Sequence, residues 1–327
     1  MSAALTAVII PTWNGRDLLR SALRGLEAQR QVDFEAIVVD NGSSDGTREM
    51  IETEFPRVRA LYLGENRGFA AAVNAGVAAT AAEVVVLLNN DAVPEPGWLP
   101  ALLRVMDGDP AVGSCASRVL RQDDPSRLDS AGDGWGLLAW SRGHDEPDGP
   151  AFDAPADVLA ASGSAAAYRR AAFEAVGGMD ERFFAYLEDV DLGIRLRLAG
   201  WRCRYVPDAR VLHRGSVTSD RIGGLKLKLL LRNSLRLVLQ YAPPERLLAL
   251  PALIGWVKVR SVREAGSLRP GLAAIAAVAR ELPLILQRRR RFLGGRRITM
   301  TEFRRSLDPV LTRSRRGAAP GGGAVRS

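Results

Sequence analysis

Cysteine is nearly absent from this 327-residue chain: Cys115 and Cys203 are the only two, and no Cys-x-x-Cys pair exists. That excludes a disulfide framework and a cysteine-built structural zinc site. Histidine is equally scarce, with only His144 and His213. No Lys or Arg precedes Arg16, and the apolar run Ala7-Val-Ile-Ile10 stops at Pro11. A secretory signal needs a basic start and a longer apolar core, so neither a signal peptide nor a membrane span is expected there. No solenoid-type repeat is visible. The expected setting is reducing and cytoplasmic.

What is present is an ordinary globular balance, 47% hydrophobic and 25% charged, enough for one large domain or two smaller ones. Charge is uneven along it. The net +8 combines 23 Lys and Arg against 5 Asp and Glu in residues 221–327 with 22 against 32 in residues 1–220. This predicts a catalytic domain over 1–220, a basic helical region over 221–316 and a Gly/Ala-rich, disordered tail over 317–327. The alternative is that the basic residues merely solvate a helical face.

The first hundred residues alternate apolar runs with helical spacing. Thr6–Ile10, Ala36–Val39, Arg59–Leu63 and Val84–Leu88 read as strands; Leu18–Gln29 and Phe69–Ala79 read as helices. Near-continuous apolar strands separated by helices indicate an α/β fold, a mostly parallel sheet covered on both faces, with ligands bound beyond the strands' carboxyl ends. Each of those ends is polar: Thr12 and Asn14, Asp40 and Asn41, Asn66 and Arg67, then Asn89-Asn90-Asp91. Residues 122–156, rich in Asp, Gly and Pro, read as a long excursion that shapes one side of the site. A helix over about 169–176 and another over 188–200 follow, then extended pieces at 204–206 and 210–213.

Four places carry chemistry, each with two readings. Asp40 either accepts the imide N–H of a pyrimidine base or caps the next helix. Asn89-Asn90-Asp91 either serves Mg²⁺ or Mn²⁺ bridging a diphosphate or forms an Asx-turn. Glu188, Asp189 and Asp191 either supply a general base or simply favour a helix N-terminus, with Asp191 spaced to pair with Arg195. His213 is either structural or a nitrogen ligand beside Asp91, which would favour Mn²⁺. No Ser-His-Asp or Cys-His arrangement suggests a covalent intermediate.

Together, Val8-Ile-Ile-Pro-Thr-Trp-Asn14, Val38-Val-Asp-Asn-Gly-Ser-Ser-Asp-Gly46, Asn66-Arg-Gly-Phe69, Asn74-Ala-Gly76, Leu88-Asn-Asn-Asp91 and Glu188-Asp-Val-Asp191 resemble glycosyltransferase family 2. The likeness runs over residues 5–215 and is nearest to bacterial rhamnosyl- and galactofuranosyltransferase types. It implies a GT-A fold and inverting transfer from a dTDP- or UDP-sugar, such as dTDP-rhamnose, to a lipid-linked or glycan acceptor in envelope synthesis. It implies nucleoside contacts from Pro11, Thr12 and Asp40, with Asn14, Asn66, Arg67, Asn74, Asn89 and Asn90 on the donor side. It also implies metal ligation by Asp91 and His213, and Asp189 as base. Asn89 stands where the family's metal motif has an acid. The Gln-x-x-Arg-Trp motif of processive synthases is missing, which leans toward adding one or a few sugars. A nucleotidyltransferase would want a Gly-rich basic loop after the first strand, and Pro11-Thr-Trp-Asn-Gly15 is not one. A catalytically inactive membrane-surface protein is the third reading.

In the basic region Lys228, Arg232 and Arg236 recur at i,i+4 opposite Leu227, Leu230, Leu231 and Val238. This stripe predicts peripheral attachment to an anionic membrane surface, on the inner face of the cell membrane, helped by Arg288–Arg291. The alternative is helices packed on the catalytic domain. Aromatic interleaving is missing, so no nucleic-acid platform is expected. Leu247–Val257 and Leu272–Leu286 are too short for spans, Arg280-Glu281 interrupting the second.

Overall fold

The structure, a computed structural model, describes residues 6–29, 32–215 and 224–307. In chain order the first half consists of β1 (Thr6–Thr12), α1 (Arg16–Glu27), β2 (Glu35–Asp40), α2 (Thr47–Glu54), β3 (Arg59–Tyr62), α3 (Phe69–Ala78) and β4 (Val84–Leu88). These strands lie side by side as β3-β2-β1-β4, all parallel. Val8, Ile10, Val38 and Val86 face one apolar core, while Ala7, Ile9, Ile37 and Val85 face the other. Both faces of the sheet are therefore covered, as the continuous apolar runs require.

The second half is mixed. β5 (Ala92–Pro94), α4 (Trp98–Gly108) and β6 (Val112–Arg121) precede three short strands, β7 (Leu128–Ser130), β8 (Asp133–Trp135) and β9 (Ala139–Ser141). Then come β10 (Ala156–Val158), β11 (Ala165–Arg169), α5 (Arg170–Ala175), α6 (Glu188–Leu198) and β12 (Arg202–His213). The sheet continues from β4 through antiparallel β11 to β6, which pairs in parallel with β12. The α/β expectation holds. The two extended pieces before His213 are one strand, its register shifting between Val206 and Arg210. Residues 122–156 are more than a loop. They fold back on the domain, with Trp135 fully buried and Arg118 ion-paired to Asp148 and Asp153.

The C-terminal region forms α7 (Leu225–Tyr241), α8 (Pro244–Leu247), α9 (Leu250–Ala265), α10 (Arg269–Gly294) and α11 (Met300–Ser306). Of the basic stripe, Arg232 and Arg236 turn inward, against the sequence expectation, while Lys228 is exposed. Arg236 is buried over the Phe183 ring and ion-paired with Glu281 of α10, and Arg232 donates to the carbonyls of Arg182 and Phe183. Leu231, Leu235 and Val238 share one core with Trp135, Val190 and Ile194 of the catalytic part. The alternative of helices packed on the domain is what α7 does. α10 also runs unbroken through Arg280-Glu281, because Glu281 turns inward to Arg236. The expected tail at 317–327 lies outside the described residues.

Candidate active site

β1 and β2 run in register, with Thr12 opposite Asp40, and β4 flanks β1 on its other side, so three strand ends open at one edge. A cleft of about 720 Å³ lies there, within the range that holds a small organic ligand. Pro11, Thr12, Asn66, Asn89 and Asn90 line it, as do Asp91, Glu188, Asp189 and His213. Asn90 donates to Thr12 Oγ1 at 2.9 Å, tying the ends of β4 and β1 together. A Cβ at Gly15 would sit 2.4 Å from that amide, so only glycine leaves it room.

Five residues singled out from sequence do not line this cleft. Asp40 closes its own turn, accepting from the backbone N–H and hydroxyl of Ser43. Asn14 accepts from the Ser44 N–H at 2.7 Å across the same turn. Asn74 exchanges hydrogen bonds with the Met179 backbone at 2.9 and 3.0 Å. Arg67 is exposed and lies 3.8 Å from Glu181. Asp191 is fully buried, held by Arg195 at 2.6 Å and by the Tyr241 hydroxyl at 2.6 Å. Its carboxylate is committed to joining α6 to α7 and has no path to a substrate.

A carboxylate–imidazole–carboxylate chain lines the cleft. β5 and β12 pair with Ala92 opposite His213, which sets the imidazole beside Asp91. His213 Nε2 lies 3.2 Å from Asp91 Oδ1 without hydrogen-bond alignment, and Nδ1 lies 2.8 Å from Asp129 Oδ2. Burial alone would lower the imidazole's pKa. The Asp129 hydrogen bond and the charges of Asp91 and Asp129 outweigh it and push the value up to about 10. Among the described residues no group of three or more His, Cys, Asp or Glu side chains is arranged to hold a metal ion by itself.

The start of α6 also lines the cleft. Asp189 accepts from the Gly163 N–H at 2.8 Å and the Val190 N–H at 2.7 Å. Burial raises its pKa and these two donors oppose the rise. Glu188 is buried, its Oε2 without a hydrogen-bond partner, and burial beside Asp189 pushes its carboxyl well up. Asp133 completes the wall. It accepts from the Ser130 hydroxyl at 3.1 Å, and burial with the nearby Asp189 charge raises it to about 8. No ion pair reaches any of these three among the described residues.

Asp133 supplies a test of this wall. An unfolded Asp titrates near 4, so between about pH 4 and 8 the folded chain holds a proton that the unfolded chain releases. The folded state is therefore progressively penalised as pH rises through that window, and the penalty is complete above it. Asp133→Asn removes the titrating group. Its melting temperature relative to the parent should rise by several degrees from pH 4 to pH 8 and then level off. A difference that stays constant with pH would show that this carboxyl is solvated.

The backbone leading into α6 is strained. Phe184, Tyr186 and Leu187 have φ values of 64°, 69° and 68°, a region costly for residues with a Cβ. α7 holds this segment: Asn233, fully buried, directs its amide at the carbonyls of Phe183, Ala185 and Tyr186 at 3.2, 3.0 and 2.7 Å. Gly68 fits under the same segment, where a Cβ would meet the Phe184 oxygen at 2.5 Å.

Sequence reasoning missed Asp129, Asp133, Trp140 and Ser162 in the cleft wall. Asn41 was read with Asp40 as a polar strand end but was given no role of its own. Its side chain ties β2 to the Asn66 loop by hydrogen bonds of 3.0 Å to Gly68 O and from Arg67 N.

Residues 7–177 match the family described as Glycosyl transferase family 2. The chain belongs to glycosyltransferase family 2. It is 32% identical over 240 residues to an N-acetylglucosaminyl-diphospho-decaprenol L-rhamnosyltransferase of Mycobacterium tuberculosis, covering 65% of this chain and 77% of that one. It is 30% identical over 226 residues to the O-antigen biosynthesis protein RfbC of Myxococcus xanthus, covering 65% of this chain and 17% of the relative. A mannosyltransferase of Pyrobaculum calidifontis in complex with GDP-Man and Mn²⁺ superposes with a TM-score of 0.54 at 21% identity, over 85% of this chain and 76% of that one. GalNAc-T7 with UDP, GalNAc and Mn²⁺ gives 0.60 at 16% identity, over 85% and 57%. These superpositions establish the GT-A glycosyltransferase fold, and the family establishes the enzyme class. The family match ends at 177, before α6, β12 and α7 complete the cleft.

Proposed function

We propose that this glycosyltransferase is an inverting, divalent-metal-dependent enzyme that moves a sugar, rhamnose first among candidates, from a dTDP- or UDP-sugar to a lipid-linked acceptor. The observation that carries the reading is one cleft lined by Asp91 and His213, which touch each other, and by Asp189. The acceptor class is argued from the mycobacterial relative, whose name specifies a diphospho-decaprenol substrate. Such an acceptor would place the chain peripherally at the inner face of the cell membrane.

The donor set suits Mn²⁺ or Mg²⁺. His213 Nε2 is buried with no aligned partner beside the Asp91 carboxylate, and Asp129 fixes the ring from behind, as carboxylates behind metal-bound imidazoles do. Two protein ligands leave room for diphosphate oxygens and water. When bound, the ion would neutralise charge on the departing diphosphate. Asn89 lines the cleft but offers only an amide oxygen, a weaker donor for a hard cation.

Asp189 is the base in this reading. It takes the acceptor hydroxyl's proton as that oxygen bonds to the anomeric carbon and the diphosphate leaves from the opposite face. One displacement inverts the carbon. Its raised proton affinity suits the task, and the Gly163 and Val190 N–H groups fix its direction. Pro11 and Thr12, which line the cleft, would hold the nucleoside, with Asn66, Asn89 and Asn90 on the donor side; Asp40 and Asn14 would act by shaping the turn.

The test incubates the full chain with dTDP- and UDP-sugars, with and without a polyprenyl-diphosphate-linked N-acetylglucosamine and Mn²⁺. Acceptor-dependent release of nucleoside diphosphate is expected only with the metal. Pyrophosphate release from a nucleoside triphosphate and sugar phosphate would indicate a nucleotidyltransferase, and no release from any donor an inactive binding protein.

A further inference from the structure

We propose that the outer face of the α9–α10 hairpin is the surface by which this enzyme lies on an anionic lipid bilayer. The inference rests on the lipid-linked-acceptor reading for its purpose, and not for its measurement.

α10 is 26 residues long, about 39 Å, and among the described residues it is the one helix long and apolar enough to cross a membrane. One side of it is used within the protein. Ala274, Val278 and Ile285 are buried in the core shared with α7. Along one flank of the exposed side Leu268, Leu272, Ala279, Leu282 and Leu286 recur, with Ile275 half-buried against that core. α9 carries a matching run, with Val259 and Val262 on its open side. The two helices join tightly: Gly266 turns the chain at φ 64°, and Ser261 Oγ bonds both Ser267 O at 2.7 Å and Gly271 N at 3.0 Å. Val259, Val262, Leu268, Leu272, Leu282 and Leu286 expose between 38% and 66% of their surface. An apolar face of this kind marks an interaction site.

Charge selects the occupant. Lys258, Arg263, Arg269, Arg280 and Arg290 are exposed and carry no ion pair among the described residues. Residues 250–307 contain three acids, and each is engaged: Glu264 with Arg260, Glu281 with Arg236, and Glu302 in the cap of α11. A second copy of this chain would bring the same uncompensated cations face to face. An anionic bilayer offers lipid tails to the leucines and headgroup charge to the cations, the pattern of a helix lying in the interface. The orientation differs from the one read from sequence, since Arg232 and Arg236 point into the protein and α9–α10 point out.

The experiment is flotation of the full chain with phosphatidylglycerol/phosphatidylcholine vesicles and with phosphatidylcholine alone, across a salt series. Strong binding to the anionic vesicles is expected, weakened but not abolished by salt, because buried apolar area is not screened. The double variant Leu272→Glu/Leu286→Glu should lose binding about tenfold or more. Its melting temperature and its acceptor-free hydrolysis of a soluble donor should match the parent. Vesicle binding needs no donor, so failure of the transfer reading leaves this result standing, and the reverse. Absence of binding to both vesicle types, or equal binding by parent and variant, overturns the proposal. So does a parent dimer that the variant converts to monomer without changing vesicle binding, which would assign the face to a second copy.

Discussion

Asp91→Ala should lower acceptor-dependent transfer by about 10³-fold or more, and EDTA should silence the parent reversibly. The expected size follows from charge stabilisation worth several kcal/mol, at about 1.4 kcal/mol per tenfold. Asp91 lies against His213 in the cleft, and its loss leaves imidazole as the lone protein donor. A graded companion is Asp129→Asn. Asp129 touches the imidazole's far nitrogen, so its loss should raise the Mn²⁺ concentration needed for half-maximal rate by about 10–100-fold while leaving the saturated rate nearly intact. Initial rates across a Mn²⁺ titration read both. Full activity of the parent in EDTA, or of Asp91→Ala at any metal level, would remove metal dependence from the reading.

The second large effect is at the base. Asp189→Asn keeps shape and can still accept from Gly163 and Val190, yet has little basicity. Turnover should fall by about 10²–10⁴-fold, with the donor dissociation constant unchanged. Asp191→Asn is the contrast. That carboxylate is fully buried against Arg195 and Tyr241, so weakening it should cost about 3–5 kcal/mol of stability. Its signature is a lower melting temperature. If Asp191→Asn folds normally and is inactive while Asp189→Asn turns over at the parent rate, the base has been assigned to the wrong carboxylate.

The parallel half of the sheet was legible because its strands are buried on both faces and therefore read as unbroken valine, isoleucine and leucine. β6 was not, although it is ten residues long and central. Its sequence, Val-Gly-Ser-Cys-Ala-Ser-Arg-Val-Leu-Arg, interrupts the buried Val112, Cys115, Ala116, Val119 and Leu120 with equally buried Ser114, Ser117 and Arg118, the last partnered by Asp148 and Asp153. Such interruptions break the apolar run by which the parallel strands were read. The same limit hid Asp129 and Asp133. They stand in a stretch of Asp, Gly and Pro that has the composition of a surface loop. They reach the cleft only because the chain returns, with Asp133 and Ala160 exchanging backbone hydrogen bonds at 2.8 and 3.1 Å. Asp191 erred the other way. Its spacing to Arg195 was plain, but only the tertiary position of Tyr241 shows that the pair is sealed.

The clamp from Asn233 to the strained segment before α6 also orders events during synthesis. Chains emerge from the ribosome N-terminus first. β1, β2 and β4 are made first. His213 arrives some 120 residues after Asp91, and Asn233 later still. Until then nothing from α7 holds Phe184, Tyr186 and Leu187 in left-handed backbone, and Asp189 follows directly from them. On the proposed reading, a growing chain could not aim Asp189 at an acceptor until α7 has been made.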